Sequence, residues 1–232
     1  MAPEWIEIDG GTFWMGGGPR DEENPRHRVT VGPFRLARTP VTRREYQRFL
    51  DATGHEPPPF WAEPAFDHPA KPAAGPSWDD AMAYCRWLAA ETGVEVGLPT
   101  EAEWELAALA GREVLYPWGD EGPEGVPDYE RRWLDGPEPV DLYPSRHPWG
   151  IVGLGENVHE WCADWYDAGY YEVSPELNPR GPAEGRRRAS RGGSWRHAIK
   201  VTRCAARSSI PPHMQYRDYG FRLRGEVHAI RT

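Results

Sequence analysis

Three histidines are the residues of this sequence best suited to transition-metal chemistry. His159 lies in the segment 157–161 (NVHEW), His197 follows Trp195 by two positions, and His213 lies further along the chain. Neutral imidazole binds Cu, Zn or Fe, so His159 and His197, with His213, are candidate metal ligands. No pair has the H-x-H or H-x3-H spacing that places two histidines on one side of a strand or helix. Either the fold brings these histidines together as a metal site, or each of them is a separate hydrogen-bonding residue.

The same segment offers oxygen ligands for a harder ion. Asn157 has an amide oxygen, Val158 a main-chain carbonyl and Glu160 a carboxylate. These are the ligand types that Ca²⁺ prefers in proteins. The segment therefore predicts a structural calcium site, to which Glu156 either adds a carboxylate or contributes nothing.

Aromatic and cationic residues follow the glycine pair at 192–193, and they predict a ligand groove. Its candidate residues are Trp195, Arg196, His197, Lys200 and His213. Cationic side chains around an aromatic ring favour an acidic ligand, so a peptide, a protein or a small molecule is the expected partner.

Four arginines in the C-terminal part have two possible roles. They either line this groove or, as we expect for most of them, pair with buried acids such as Asp164. They are Arg203, Arg207, Arg217 and Arg222.

Composition excludes several classes of protein. The 232-residue chain has a formal net charge of -9, which argues against nucleic-acid binding because phosphate affinity needs cationic groups. It contains neither a signal-peptide pattern nor an apolar stretch of membrane-spanning length, so we expect no membrane association and a cytoplasmic location. Its three cysteines lack disulfide or zinc spacing and are expected to be buried free thiols.

Capping patterns place the helices that must position these residues. Helices are predicted to begin after Thr42, Ser77 and Thr100, each of which has an acidic residue three positions later, and to end at Gly54, Gly93 and Gly111. Short strands are predicted over 5–8, 29–31, 34–37, 158–162, 189–195, 201–205 and 220–223. Long segments rich in Pro and Gly connect them. The pattern is that of a loop-rich α+β protein without internal repeats.

A series of motifs resembles the formylglycine-generating enzyme family, also called the sulfatase-modifying-factor domain. The resembling segments are 10–16 (GGTFWMG), 40–42 (PVT), 77–81 (SWDDA), 98–105 (LPTEAEWE), 116–120 (YPWGD), 157–161 (NVHEW), 178–182 (NPRGP), 191–195 (RGGSW) and 220–222 (GFR). The resemblance implies one C-type-lectin-like domain over 1–232, with few short strands, about three helices and a surface groove. It also implies calcium at the turn around Asn157.

Relatives in this family use the scaffold in three ways. Some oxidise a sulfatase cysteine to formylglycine with copper, some form part of iron-dependent sulfoxide synthases, and some display ligands without catalysis. The copper enzymes carry two active-site cysteines shortly after the Gly-Gly-Ser turn, but residues 196–202 contain none. The resemblance makes Cys204 a separate structural cysteine. The sulfoxide synthases hold iron largely with histidines of an additional domain, which we do not expect in this chain.

Three functional hypotheses follow from the absence of the two active-site cysteines in residues 196–202. The first is a ligand- or protein-binding module that lacks the catalytic cysteine pair. The second is a metal-dependent oxidoreductase that holds Cu or Fe with His159 and His197, the former at a position where the family motif has tryptophan. The third is a variable ligand-display protein on the same fold.

Overall fold

Three sheets and three helices make up the regular structure of the computed structural model, which describes residues 3–122, 136–197 and 199–227. The strands are β1 Trp5–Ile8, β2 Gly11–Met15, β3 His27–Val31, β4 Phe34–Ala37, β5 Val96–Gly97, β6 His159–Trp165, β7 Arg188–Arg191, β8 Arg207–Ile210, β9 Tyr219–Gly220 and β10 Arg224–Gly225. They form a four-stranded sheet β1-β4-β10-β5, a β2-β3 hairpin and a four-stranded sheet β8-β7-β6-β9. Only the β6-β9 pair in the third sheet is parallel.

All three predicted helices are present, and each begins with a capping box. They are α1 Arg43–Thr53, α2 Trp78–Thr92 and α3 Glu101–Leu109. Gly54 and Gly93 end the first two in the left-handed conformation, as predicted. The predicted stop at Gly111 was wrong by one residue, because Ala110 takes the left-handed conformation and donates its N–H to the Leu106 carbonyl.

Three of the strand predictions need correction. The strand predicted over 220–223 is wrong, because β9 ends at Gly220 and β10 begins at Arg224. Residues 201–205 form no strand, since a short 3-10 helix spans Ile199–Val201 and the chain pairs again only from Arg207. The strand predicted to reach Trp195 ends at Arg191, because Gly192 has φ +78° and turns the chain away from the sheet. Strand β2 was not predicted, since its glycines indicated a turn.

Aromatic side chains fill much of the core. Trp104 and Trp161 are fully buried, and the rings of Tyr46, Tyr84 and Phe221 lie 5.4–6.3 Å apart, centroid to centroid. Edge and stacked contacts at such distances add to the free energy of burial. The packing joins α1 and α2 to the strand segments that carry the site.

All three cysteines are buried free thiols, as predicted. Burial raises the pKa of Cys85 to about 12 and also raises the pKa values of Cys162 and Cys204. A buried thiol with a raised pKa is poorly reactive, because the thiolate is the nucleophile and the metal ligand. No helix among the described residues has both the length and the apolar character needed to cross a bilayer.

The buried His147 makes stability depend on pH. Its Nε2 donates to the Ala107 carbonyl, its Nδ1 accepts the Trp149 N–H, and burial lowers its pKa to about 4 from 6.5. The lowered pKa stabilises the folded chain above pH 6.5, and this contribution is lost as pH falls through 4.

We therefore expect His147 to remove about 2 kcal/mol of unfolding free energy between pH 7.5 and pH 5. Urea denaturation of the wild type and of a His147→Gln variant at both pH values measures this difference. Equal pH dependence in the two proteins would contradict the assignment.

Candidate functional site

The parallel pairing of β6 with β9 creates the centre of the site. His159 begins β6 opposite Tyr219, and its main-chain N–H donates to the Asp218 carbonyl at 2.8 Å. The turn after β7 lies against the same end of β6, because the Trp195 N–H donates to the Asn157 carbonyl at 2.9 Å. These two main-chain bonds bring His159, Asp218 and the segment containing His197 together.

The side chains of His159, His197 and Asp218 form a compact cluster. One ligand atom from each residue lies within 4.8 Å of the other two. The imidazole centroids are 4.3 Å apart, and His197 Nε2 lies 3.2 Å from Asp218 Oδ2. His159 and Asp218 are buried, whereas His197 is half-buried. The arrangement offers two nitrogen ligands and one oxygen ligand with access from the His197 side.

One nitrogen of the cluster has no hydrogen-bond partner within the described part of the chain. His159 Nδ1 is inaccessible to solvent and unbonded there. Burial and the neighbouring His197 lower the pKa of His159 to about 3. Its ring is therefore neutral near pH 7 and has a lone pair available. A buried, unsatisfied nitrogen beside a carboxylate fits a transition-metal ion.

Two polar side chains hold Asp218 in place. Arg196 Nη2 donates to Asp218 Oδ1 at 3.0 Å, and Ser194 Oγ donates to Oδ2 at 3.1 Å. Such bonds orient a carboxylate that ligates a metal. Arg196, predicted as part of a cationic groove wall, is therefore bonded to the cluster.

Sequence reasoning identified His159 and His197 but missed Asp218. Nothing distinguishes Asp218 locally from the other acidic residues, and only the β6-β9 register identifies it. His213 is exposed and lies outside the cluster, so the suggestion that it joins the other two histidines was wrong. Lys200 is also exposed, and its carbonyl accepts from Arg203 Nε.

Aromatic rings pack around Trp195, which lies two residues before His197. Trp195 is buried beside Phe66, with 6.5 Å between ring centroids, and its indole Nε1 has no partner within the described ranges. The Arg217 guanidinium lies 5.3 Å from the ring centroids of both Phe60 and Phe66. Beside this apolar wall the Arg217 guanidinium is paired with the Glu63 carboxylate.

Buried ion pairs connect helices, strands and loops of the core. Arg203, Arg207 and Arg222 have paired structural roles, as predicted, but their partners are glutamates. The pairs are Arg203–Glu23, Arg207–Glu101 and Arg222–Glu160, and Arg191–Glu105 is a fourth. Asp164, the predicted partner, instead accepts the Glu101 main-chain N–H at 2.9 Å, and burial raises its pKa well above the usual range.

The candidate calcium ligands are engaged in protein contacts. Arg222 donates to both Glu160 carboxylate oxygens, and Trp104 Nε1 donates to Oε2 at 2.8 Å. Asn157 Oδ1 accepts the Glu138 main-chain N–H at 3.0 Å. Glu160 is thus an arginine partner, and a calcium ion at Asn157 and Val158 stays a prediction.

The fold and its motifs define an α+β protein of the C-type-lectin-like class, and comparison with known proteins identifies its family. The profile described as the sulfatase-modifying factor enzyme 1-like domain matches residues 1–227. The chain belongs to this family, as its motifs predicted.

Relatives cover nearly the whole chain. It is 33% identical to the formylglycine-generating enzyme of Streptomyces coelicolor over 96% of its own length and 89% of that protein. It is also 33% identical to the serine/threonine-protein kinase pkn1 of Chlamydia caviae over 96% of its length, but spans only 38% of that protein. Among solved structures, PvdO from Pseudomonas aeruginosa superimposes with a TM-score of 0.81 at 26% identity, covering 97% of this chain and 95% of PvdO.

Proposed function

We propose that this protein is a metal-dependent oxidoreductase whose iron or copper ion is held by His159, His197 and Asp218. The observation that carries the proposal is the convergence of these three side chains around a buried imidazole nitrogen, His159 Nδ1, that has no hydrogen-bond partner among the described residues. Two histidines and one carboxylate are the ligand set of many non-haem Fe(II) oxygenases, while histidine nitrogens also suit copper. A bound redox metal would supply electron exchange with dioxygen.

The surrounding residues prepare the cluster for this role. Arg196 and Ser194 fix the Asp218 carboxylate, while burial keeps His159 neutral. Trp195, two residues before His197, packs against Phe66 with 6.5 Å between ring centroids. His197, the half-buried member, lies on the side from which a substrate approaches.

The proposal predicts one tightly bound metal ion per chain. Purified protein stripped with a chelator and reloaded with Fe(II) under anaerobic conditions, or with Cu, is expected to retain one equivalent in elemental analysis. His159→Gln or Asp218→Asn should weaken binding on the order of 100-fold or more, since losing even an outer-shell partner costs 10- to 100-fold. His213→Ala is the matched control, because His213 is exposed and outside the cluster.

Two results would overturn the metal assignment. One is a folded wild-type protein that binds neither metal. The other is binding that persists undiminished in both ligand variants. Loss of binding in the His213→Ala control together with retention in the others would relocate the site.

A second candidate is a binding module for a peptide, a protein or a small molecule. The buried Trp195 Nε1 supports it, since this indole N–H beside Phe66 has no partner within the described ranges and offers a donor to an acidic ligand. The three buried thiols with raised pKa values support the absence of copper-thiolate catalysis. Copper-dependent conversion of a sulfatase-derived cysteine peptide to formylglycine, read by mass spectrometry, would exclude this candidate.

A further inference from the structure

A cavity of about 620 Å³ lies between strand β2 and the C-terminal end of α3. Its remaining walls come from the glycine-rich turn after β2, the loop that follows α3, and residues 203–205. This volume falls within the roughly 300–1,000 Å³ typical of small-molecule sites. His159, His197 and Asp218 do not line it, so an inference drawn from the cavity is independent of the proposed metal site.

Aromatic and aliphatic side chains form much of the cavity wall. Phe13, Trp14, Leu109, Leu115 and Trp149 all line it. Trp14 is 51% exposed and Leu115 is 46% exposed, and both are among the few large apolar side chains of the described residues that stay so accessible. Exposed apolar side chains that meet in a concavity mark a ligand site, because a ligand removes them from water.

Most charged groups of the cavity are neutralised by other side chains. The pairs are Arg203–Glu23, Arg26–Glu113 and Glu105–Arg191. Asp120 is exposed, and its Oδ1 accepts the Leu115 main-chain N–H at 2.7 Å. The three pairs therefore cancel their own charges, whereas Asp120 makes no ion pair among the described residues.

Arg112 is the remaining charged side chain of this wall. It is half-buried, and within the described ranges no carboxylate lies within ion-pair distance of it. Its Nε donates to the Leu109 carbonyl at 3.3 Å and its Nη2 to the Pro117 carbonyl at 2.7 Å. These two bonds fix the guanidinium at the cavity without neutralising its charge. A positioned cation beside apolar rings favours an anionic ligand.

We propose that this cavity binds a planar apolar molecule with one acidic group, such as an aryl carboxylate or aryl sulfonate. The acid bonds Arg112, and the ring packs against Trp14. Both features are required together, since Arg112 recognises charge and the apolar wall recognises shape.

The probe is 8-anilinonaphthalene-1-sulfonate, whose fluorescence rises in apolar sites. We expect saturable binding to the folded full-length protein and displacement by 1-naphthoate. The neutral 1-naphthalenemethanol and the cationic 1-naphthylmethylamine should displace it at least about tenfold less well, because they lack the charge-assisted bond to Arg112.

Variants locate the binding in the cavity. Arg112→Gln should weaken probe affinity about tenfold or more, and Leu109→Trp should block binding by filling the space. Arg86→Gln is the control, since Arg86 is exposed on α2 and does not line the cavity. Near-ultraviolet circular dichroism verifies that each variant keeps its tertiary packing.

The alternatives give distinct results. Absence of saturable binding, or equal affinity in wild type and Leu109→Trp, would overturn the site. Better displacement by the cationic amine than by the carboxylate would overturn the assigned ligand class. Loss of affinity in Arg112→Gln and Leu109→Trp with retention in Arg86→Gln supports both parts of the proposal.

Discussion

Replacing Arg222 by Met is expected to remove about 3–5 kcal/mol of unfolding free energy. Arg222 is fully buried, and its guanidinium donates to both oxygens of Glu160, at 2.6 Å from Nε and 2.5 Å from Nη2. It also donates to the Val152 carbonyl at 2.8 Å. The variant leaves the Glu160 carboxylate buried with the Trp104 indole as its main remaining donor. An uncompensated buried charge is among the most destabilising changes in a protein.

Chemical denaturation followed by tryptophan fluorescence measures this loss. A double variant, Glu160→Leu with Arg222→Met, should recover much of the stability, because it removes both charges together. Arg28→Ala is the control for an exposed pair, since Arg28 lies 3.5 Å from Glu176 with both side chains more than half exposed. We expect a change below about 1 kcal/mol there. A loss of that small size in Arg222→Met would mean that the buried pair contributes little.

Gly10→Ala is expected to be nearly as severe, at about 4 kcal/mol. Gly10 has φ +79°, a conformation that costs an L-residue about 1–2 kcal/mol. A Cβ atom there would lie 2.3 Å from the Val31 carbonyl oxygen and 2.6 Å from the Gly32 carbonyl carbon. Both contacts are main chain and cannot rotate away, so the β2-β3 hairpin has to move.

The Gly54→Ala variant separates the free-energy cost of a positive φ angle from the cost of the steric clash of the added Cβ atom. Gly54 has a similar φ of +69°, but a Cβ atom added there would have nothing within 4 Å of it. We expect about 1 kcal/mol from the conformational term alone. Thermal denaturation of both variants gives the difference. Equal losses would contradict the steric argument and assign the whole effect to the backbone angle.

Local signals explain why the helices were predictable. A hydroxyl at the N-cap and a carboxylate three residues later bond the first free N–H groups of a helix, and both lie within one turn of sequence. The boxes Thr42–Glu45, Ser77–Asp80 and Thr100–Glu103 therefore placed three helix starts correctly. The ordered motifs likewise indicated the family and its lectin-like fold.

The strands and the buried pairs were less predictable. Strand β2 contains Gly11, and its pairing with β3 depends on residues far along the chain. Arg222 and Glu160 are 62 positions apart, and Arg207 and Glu101 are 106 apart. The sequence contains several acidic residues, and each of them was a possible partner for these arginines. Only packing decides which carboxylate meets which guanidinium in a dry interior.

The sequence by itself determined the family, the scaffold, the helix starts and two histidines capable of binding a metal. Tertiary structure decided that His159 and His197 meet, that His213 does not join them, and that the Asp218 carboxylate lies beside the two imidazoles. The physical reason is that these contacts depend on the parallel β6-β9 register and on the turn set by Gly192. The register and the turn bring residues that are far apart in the sequence to the same end of strand β6. Local sequence patterns do not show that such residues are close in space.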